Sequence, residues 1–73
     1  MNRIKLKNRL KAGRAEKNLS QEELAKMVQV TRQTISSIET GQYCPSTLLA
    51  FQLSEVLGKR VDELFFLEEG SEK

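Results

Sequence analysis

Residues 20–41 read SQEELAKMVQVTRQTISSIETG. Ser20 and Glu23 form a capping box, S-x-x-E, in which the hydroxyl accepts from the amide three residues on and the carboxylate reaches back to the cap amide. A helix therefore starts here, with Glu22 and Glu23 in the first turn, where the helix dipole favours negative charge. Leu24, Ala25 and Val28 fall on one stripe of it. The pattern stops at Gln29-Val30, and Thr31 then caps a second helix after a break of about three residues. Gly41 ends that second helix by taking up the left-handed conformation that helix termini favour.

On a wheel of about 100° per residue, the second helix turns Thr34, Ile35 and Ile38 to one side. Arg32, Gln33, Ser36, Ser37 and Thr40 stand together on the other, with Glu39 near the edge. One cation among short donors and acceptors makes neither a charged solubility surface nor an apolar docking surface. Arg and Gln form paired hydrogen bonds with guanine and adenine edges in the major groove, and Ser and Thr are small enough for close approach. The outward side suits base reading.

The flanking sequence completes one mainly α-helical domain. Residues 3–7 alternate, so Ile4 and Leu6 share one face of a short strand and the bases take the other. Residues 8–17 read as a helix that Gly13 weakens by ~1 kcal/mol relative to Ala. Tyr43-Cys44-Pro45-Ser46 is a turn into a helix over 46–57, with Leu49, Ala50, Leu53 and Leu57 inward and Gly58 as its stop. A single turn over 61–64 leads to Phe65-Phe66-Leu67, a second strand. The N- and C-terminal segments are expected to pair as a two-stranded antiparallel ribbon; the alternative is a frayed basic arm, because isolated ribbons are marginal in water.

A chain of 73 residues, 38% hydrophobic and 30% charged, fits one compact domain over 1–67 with an acidic tail over 68–73, and has no room for a second core. Its net charge of +2 is unevenly spread: residues 1–41 hold nine Lys/Arg against four Asp/Glu, and residues 42–73 hold three against six. A basic half fits a polyanionic partner or simply a solvated helix surface. Cys44 is the only cysteine and there is no histidine, which excludes an internal disulfide and a common Cys/His zinc site. Ser20, Ser36 and Ser37 have no histidine to activate them, so no catalytic residue, metal, cofactor or small-molecule ligand is expected. No apolar run approaches the roughly eighteen residues of a membrane span, and the charged start is unlike a secretory signal. A cytoplasmic location follows as an expectation.

The segments S-Q-E-E-L-A, V-T-R-Q-T-I, I-E-T-G and L-G-x-x-x-D-E-L-F resemble the lambda repressor and Cro type of helix-turn-helix domain, the XRE family, over residues 8–66. The resemblance implies a compact lambda-repressor-like domain of four to five helices. It implies a sequence-specific regulator of double-stranded DNA, most often a repressor, working as a homodimer on a palindromic operator with helix 31–40 in the major groove. By position it implies base contacts from Arg32, Gln33 and Ser37, with Ser36 a further candidate, and phosphate contacts from Gln21, Thr31, Thr40 and Gln42. Arg14 and Glu39 match a family ion pair between the first helix and the recognition helix; a free phosphate-binding role is the alternative for Arg14.

Three residues depart from the family pattern. Gly13 stands where an apolar residue such as Leu is usual and implies a packing defect beside the helix over 46–57. Gln29 replaces a usual Gly and must take positive φ. Cys44 replaces a polar turn residue, as an incidental thiol or a redox switch. Phe66 and Phe51 are expected at a dimer interface, with Phe65 in the core. The competing function is a protein-interaction or antitoxin-like module on the same fold.

Overall fold

The computed structural model describes residues 3–70, and the side chains of residues 5–68. Among the described residues the order is β1 (Arg3–Asn8), α1 (Leu10–Glu16), α2 (Gln21–Met27), α3 (Arg32–Glu39), α4 (Thr47–Leu57), α5 (Val61–Leu64) and β2 (Phe65–Gly70). None of these helices is long and apolar enough to cross a membrane.

The side chain of the N-cap residue itself starts α2, α3 and α4. Ser20 and Glu23 form the complete capping box of α2, Thr31 accepts from the Thr34 amide at α3, and Ser46 accepts from the Leu49 amide at α4. The first three helices end alike. Leu19 N–H donates to Arg14 O at 3.1 Å, Val30 to Ala25 at 2.9 Å and Gln42 to Ser37 at 2.9 Å, each closing the wide hydrogen-bond ring of a Schellman motif. The residue before each closing amide takes positive φ: Asn18 at 56°, Gln29 at 60° and Gly41 at 83°. Gln29 thus holds the left-handed conformation in the turn between α2 and α3, and Val30 is set against the core just beyond it.

Leu10, Leu24, Ala25, Val28, Ile35, Ile38, Leu49, Leu53, Leu57, Leu64 and Phe65 form one buried cluster. The stripes expected of α2, α3 and α4 are all represented in it, and Phe65 is inside as expected. Gly13 corrects the expected packing defect. A Cβ placed there would lie 3.0 Å from Leu64 Cδ2 and 3.4 Å from Leu57 Cδ1. The missing side chain lets α1 approach α4 and α5 closely, so a side chain added here would press first on Leu64.

β1 and β2 pair antiparallel, with Leu6 opposite Leu67, Lys7 opposite Phe66 and Asn8 opposite Phe65. The strand β2 runs to Gly70, so residues 68–70 of the acidic segment lie in the ribbon. Leu6 is on the face that leads to Phe65; the side chain of Ile4, expected beside it, lies outside the described residues. Asn8 fixes the ribbon to the helices. Its Nδ2 donates to Ile38 O at 3.0 Å and its Oδ1 accepts from Leu10 N at 3.0 Å, so one side chain ties β1 to the end of α3 and caps the start of α1. On the far side of α1, Lys59 Nζ meets Glu16 Oε1 at 2.8 Å, and this hydrogen bond raises the lysine pKa above its ordinary value.

Candidate nucleic-acid interface

The surface of α3 follows from its seating. Ile35 and Ile38 are buried, so Arg32 and Gln33 at its first turn face solvent. Ser36 and Ser37 are half-buried at its flank. Gln33 Nε2 donates to Ser37 Oγ at 3.3 Å, which brings two of the expected base-contacting side chains into one polar strip one turn long. The Ser36 carbonyl accepts from the Thr40 hydroxyl at 3.1 Å.

Of the residues expected at phosphate, Thr31, Thr40 and Gln42 lie at the two ends of α3, and Gln21 opens α2. Thr31 Oγ1 caps the Thr34 amide and shares a hydrogen bond with Thr34 Oγ1 at 3.1 Å. Thr40 and Gln42 are exposed at the other end, although the Thr40 hydroxyl is turned back onto its own helix.

Below the strip lies a chain of four polar side chains from three helices. Arg14 Nε donates to Glu39 Oε2 at 2.8 Å, and Arg14 Nη2 donates to Glu39 Oε1 at 3.2 Å. Arg14 Nη1 completes the grip on the Leu19 carbonyl at 2.9 Å. The two side chains are 14% and 6% exposed, which leaves the guanidinium little surface for a phosphate. Glu39 Oε1 also accepts from Gln21 Nε2 at 3.0 Å, and Gln21 Oε1 accepts from Arg32 Nη1 at 3.2 Å. Only this orientation of the Gln21 amide satisfies both neighbours, since the flipped one would set oxygen against carboxylate and N–H against guanidinium. The chain therefore runs from a buried ion pair to the exposed head of Arg32.

The expected interface aromatics are not equivalent. Phe51 is 57% exposed on α4, with Leu48 one turn before it at 69%. Phe66 is half-buried on the ribbon, with the Arg9 guanidinium 4.4 Å over its ring. Sequence reasoning missed Leu48 and the Gln21 link to both partners. The i, i+3 spacing of Leu48 and Phe51 was the available signal for the first.

Residues 10–64 match the helix-turn-helix family. An uncharacterised HTH-type transcriptional regulator of Methanocaldococcus jannaschii is 47% identical over 64 residues, spanning 88% of this chain and 97% of that protein. Another, YgzD of Bacillus subtilis, is 44% identical over 64 residues, with the same two shares. Among solved structures, the restriction-modification controller protein C.AhdI of Aeromonas hydrophila superposes with a TM-score of 0.70 at 33% identity, over 75% of this chain and 80% of that one. The chain belongs to the helix-turn-helix family of the lambda repressor and Cro type, with α2 and α3 as its two defining helices.

Proposed function

We propose that this protein regulates transcription by binding a palindromic operator as a homodimer, with α3 of each protomer in the major groove, and that its usual effect is repression. The observation that carries this reading is the polar strip of exposed Arg32 and Gln33 with half-buried Ser37, on a helix whose opposite side is buried at Ile35 and Ile38. Arg32 and Gln33 are the side chains that read base edges, and Ser37 approaches them closely from one turn on. Ser36, equally half-buried, is the further base-contact candidate. Thr31 and Gln42 hold the backbone at either end of α3, and Thr40 joins them by turning its hydroxyl outward. These contacts fix register without reading sequence.

The dimer follows from scale, because one domain of 73 residues offers few base contacts and two copies on a palindrome double them. Leu48 and Phe51 offer the partner an exposed apolar pair on α4, and Phe66, under Arg9, contributes at most its free edge. Selection from a random duplex pool tests the reading. The expected winner is an inverted repeat whose half-sites lie about one helical turn, roughly 34–36 Å, apart. Recovery of no common sequence would remove the specific-reader proposal.

A further inference from the structure

We infer that the strand β1 is a further DNA-backbone contact, in which Lys5 and Lys7 bind the phosphates that run past the end of α3. The inference rests on the proposed placement of α3 in the major groove and extends the interface from the helix-turn-helix to the ribbon. The basic face of the first strand has no role in that reading as it stands.

Two observations bring the ribbon to the DNA. Asn8 Nδ2 donates to Ile38 O at 3.0 Å, so β1 is anchored at the last turn of α3. Beside this anchor is an open groove of about 610 Å³, lined by Lys5, Lys7 and Asn8 from β1 and by Thr40, Gln42 and Tyr43 from the end of α3 and the turn after it. Thr40 and Gln42 are the residues proposed to hold phosphate at this end of α3, so the backbone they hold passes the lysines as well. Lys5 and Lys7 are both exposed. As alternate residues of one strand they stand ~6.8 Å apart, close to the step between successive phosphates of a DNA strand.

Glu68 is the group that opposes this contact. Lys7 Nζ lies 3.6 Å from Glu68 Oε1, with the two side chains 50% and 59% exposed, and Lys5 is in register with Glu68 across the ribbon. An ion pair so open to water holds its lysine weakly. A phosphate can therefore take Glu68's place at little cost, and the carboxylate tempers the charge of the groove until DNA arrives. The contact carries no base information. It adds counterion release and fixes the position of the domain on the backbone.

The test measures the affinity of the full chain for the selected operator and for scrambled duplex between about 50 and 200 mM salt. Lys5→Gln with Lys7→Gln should flatten the log-log salt slope by about 0.9 for each lysine in each bound protomer. The change should be equal on both duplexes, and the ranking of operators altered one base pair at a time should be preserved. Lys5→Arg with Lys7→Arg should restore the wild-type slope. Glu68→Gln should tighten both duplexes a few-fold at low salt. Ethylation of operator phosphates should interfere with wild-type binding at positions that no longer interfere with the glutamine variant. Both lysines are exposed, so urea unfolding should give each variant the wild-type midpoint. An unchanged slope in the glutamine variant would overturn the inference, as would a slope that the arginine variant fails to restore. An altered sedimentation mass with the salt slope intact would make the groove a contact between protomers and overturn it equally. Wild-type protein that bound operator and scrambled duplex alike would instead remove the underlying placement of α3, and the inference with it.

Discussion

Arg14 and Glu39, 25 residues apart in sequence, are joined by two hydrogen bonds of 2.8 and 3.2 Å between α1 and α3. Both side chains are largely withdrawn from water, so removing one leaves the other charge without its partner. Breaking a buried pair in this way costs about 3–5 kcal/mol, a large part of the stability of a small domain. Arg14→Ala should lower the urea midpoint by a corresponding amount. The double variant Arg14→Met with Glu39→Leu should recover most of that loss, since no charge is then left unpaired. A midpoint for Arg14→Ala equal to wild type would show the pair to be energetically neutral.

Gln29 sits at φ 60° where its Cβ is unfavourable. Gln29→Gly should stabilise the domain by about 0.5–1 kcal/mol, the relief of strain exceeding the added backbone entropy of glycine. For a domain of this size that corresponds to a rise in melting temperature of roughly 2–8 °C. Calorimetry of the single variant checks it, and a lower melting temperature would mean that the Gln29 side chain makes a stabilising contact of its own.

Gly13 makes the opposite prediction. With Leu64 Cδ2 only 3.0 Å from where a Cβ would sit, a leucine at this position should overpack the junction of α1, α4 and α5. Gly13→Leu should destabilise by about 1–3 kcal/mol, read from the denaturant midpoint at unchanged slope. A stabilised variant would imply space that the packing does not contain.

Phe51 and Leu48 are the exposed apolar pair of α4. In Phe51→Glu a charge enters the proposed interface while the buried cluster is untouched. Sedimentation should give a folded monomer with a wild-type circular dichroism spectrum, and operator binding should weaken with it. An unchanged dimer mass would move the interface elsewhere.

The local signals of the fold were readable because their physics is local. Ser20 with Glu23, Thr31, Ser46, Gly41 and Gly58 each act within one turn of a helix, and the stripes of α2, α3 and α4 obey the helical period. Contacts between distant segments were not readable in the same way. Asn8 looks like the start of a helix, and nothing near it predicts a hydrogen bond to Ile38 thirty residues on. Gly13 reads as a missing apolar residue because the resemblance says which side chain is absent and not how closely the neighbouring helices have moved in. Gln21 matches a phosphate-contact position by its place at the start of α2, but its partners Glu39 and Arg32 lie 18 and 11 residues away. The outward strip of α3 was legible because burial of Ile35 and Ile38 dictates which residues face away.

The most direct measurement is the effect of Arg32→Ala on two duplexes, the selected operator and a scrambled sequence of equal length, over a range of salt. If α3 reads bases through Arg32, the operator should lose ~1–3 kcal/mol of binding per contact, with preference relaxed at one base pair in each half-site. Scrambled DNA should lose much less, and any loss there should appear as a shallower salt dependence. Equal losses on both duplexes, with the base preferences intact, would contradict the assignment of α3 as the reading helix even if the protein still bound DNA.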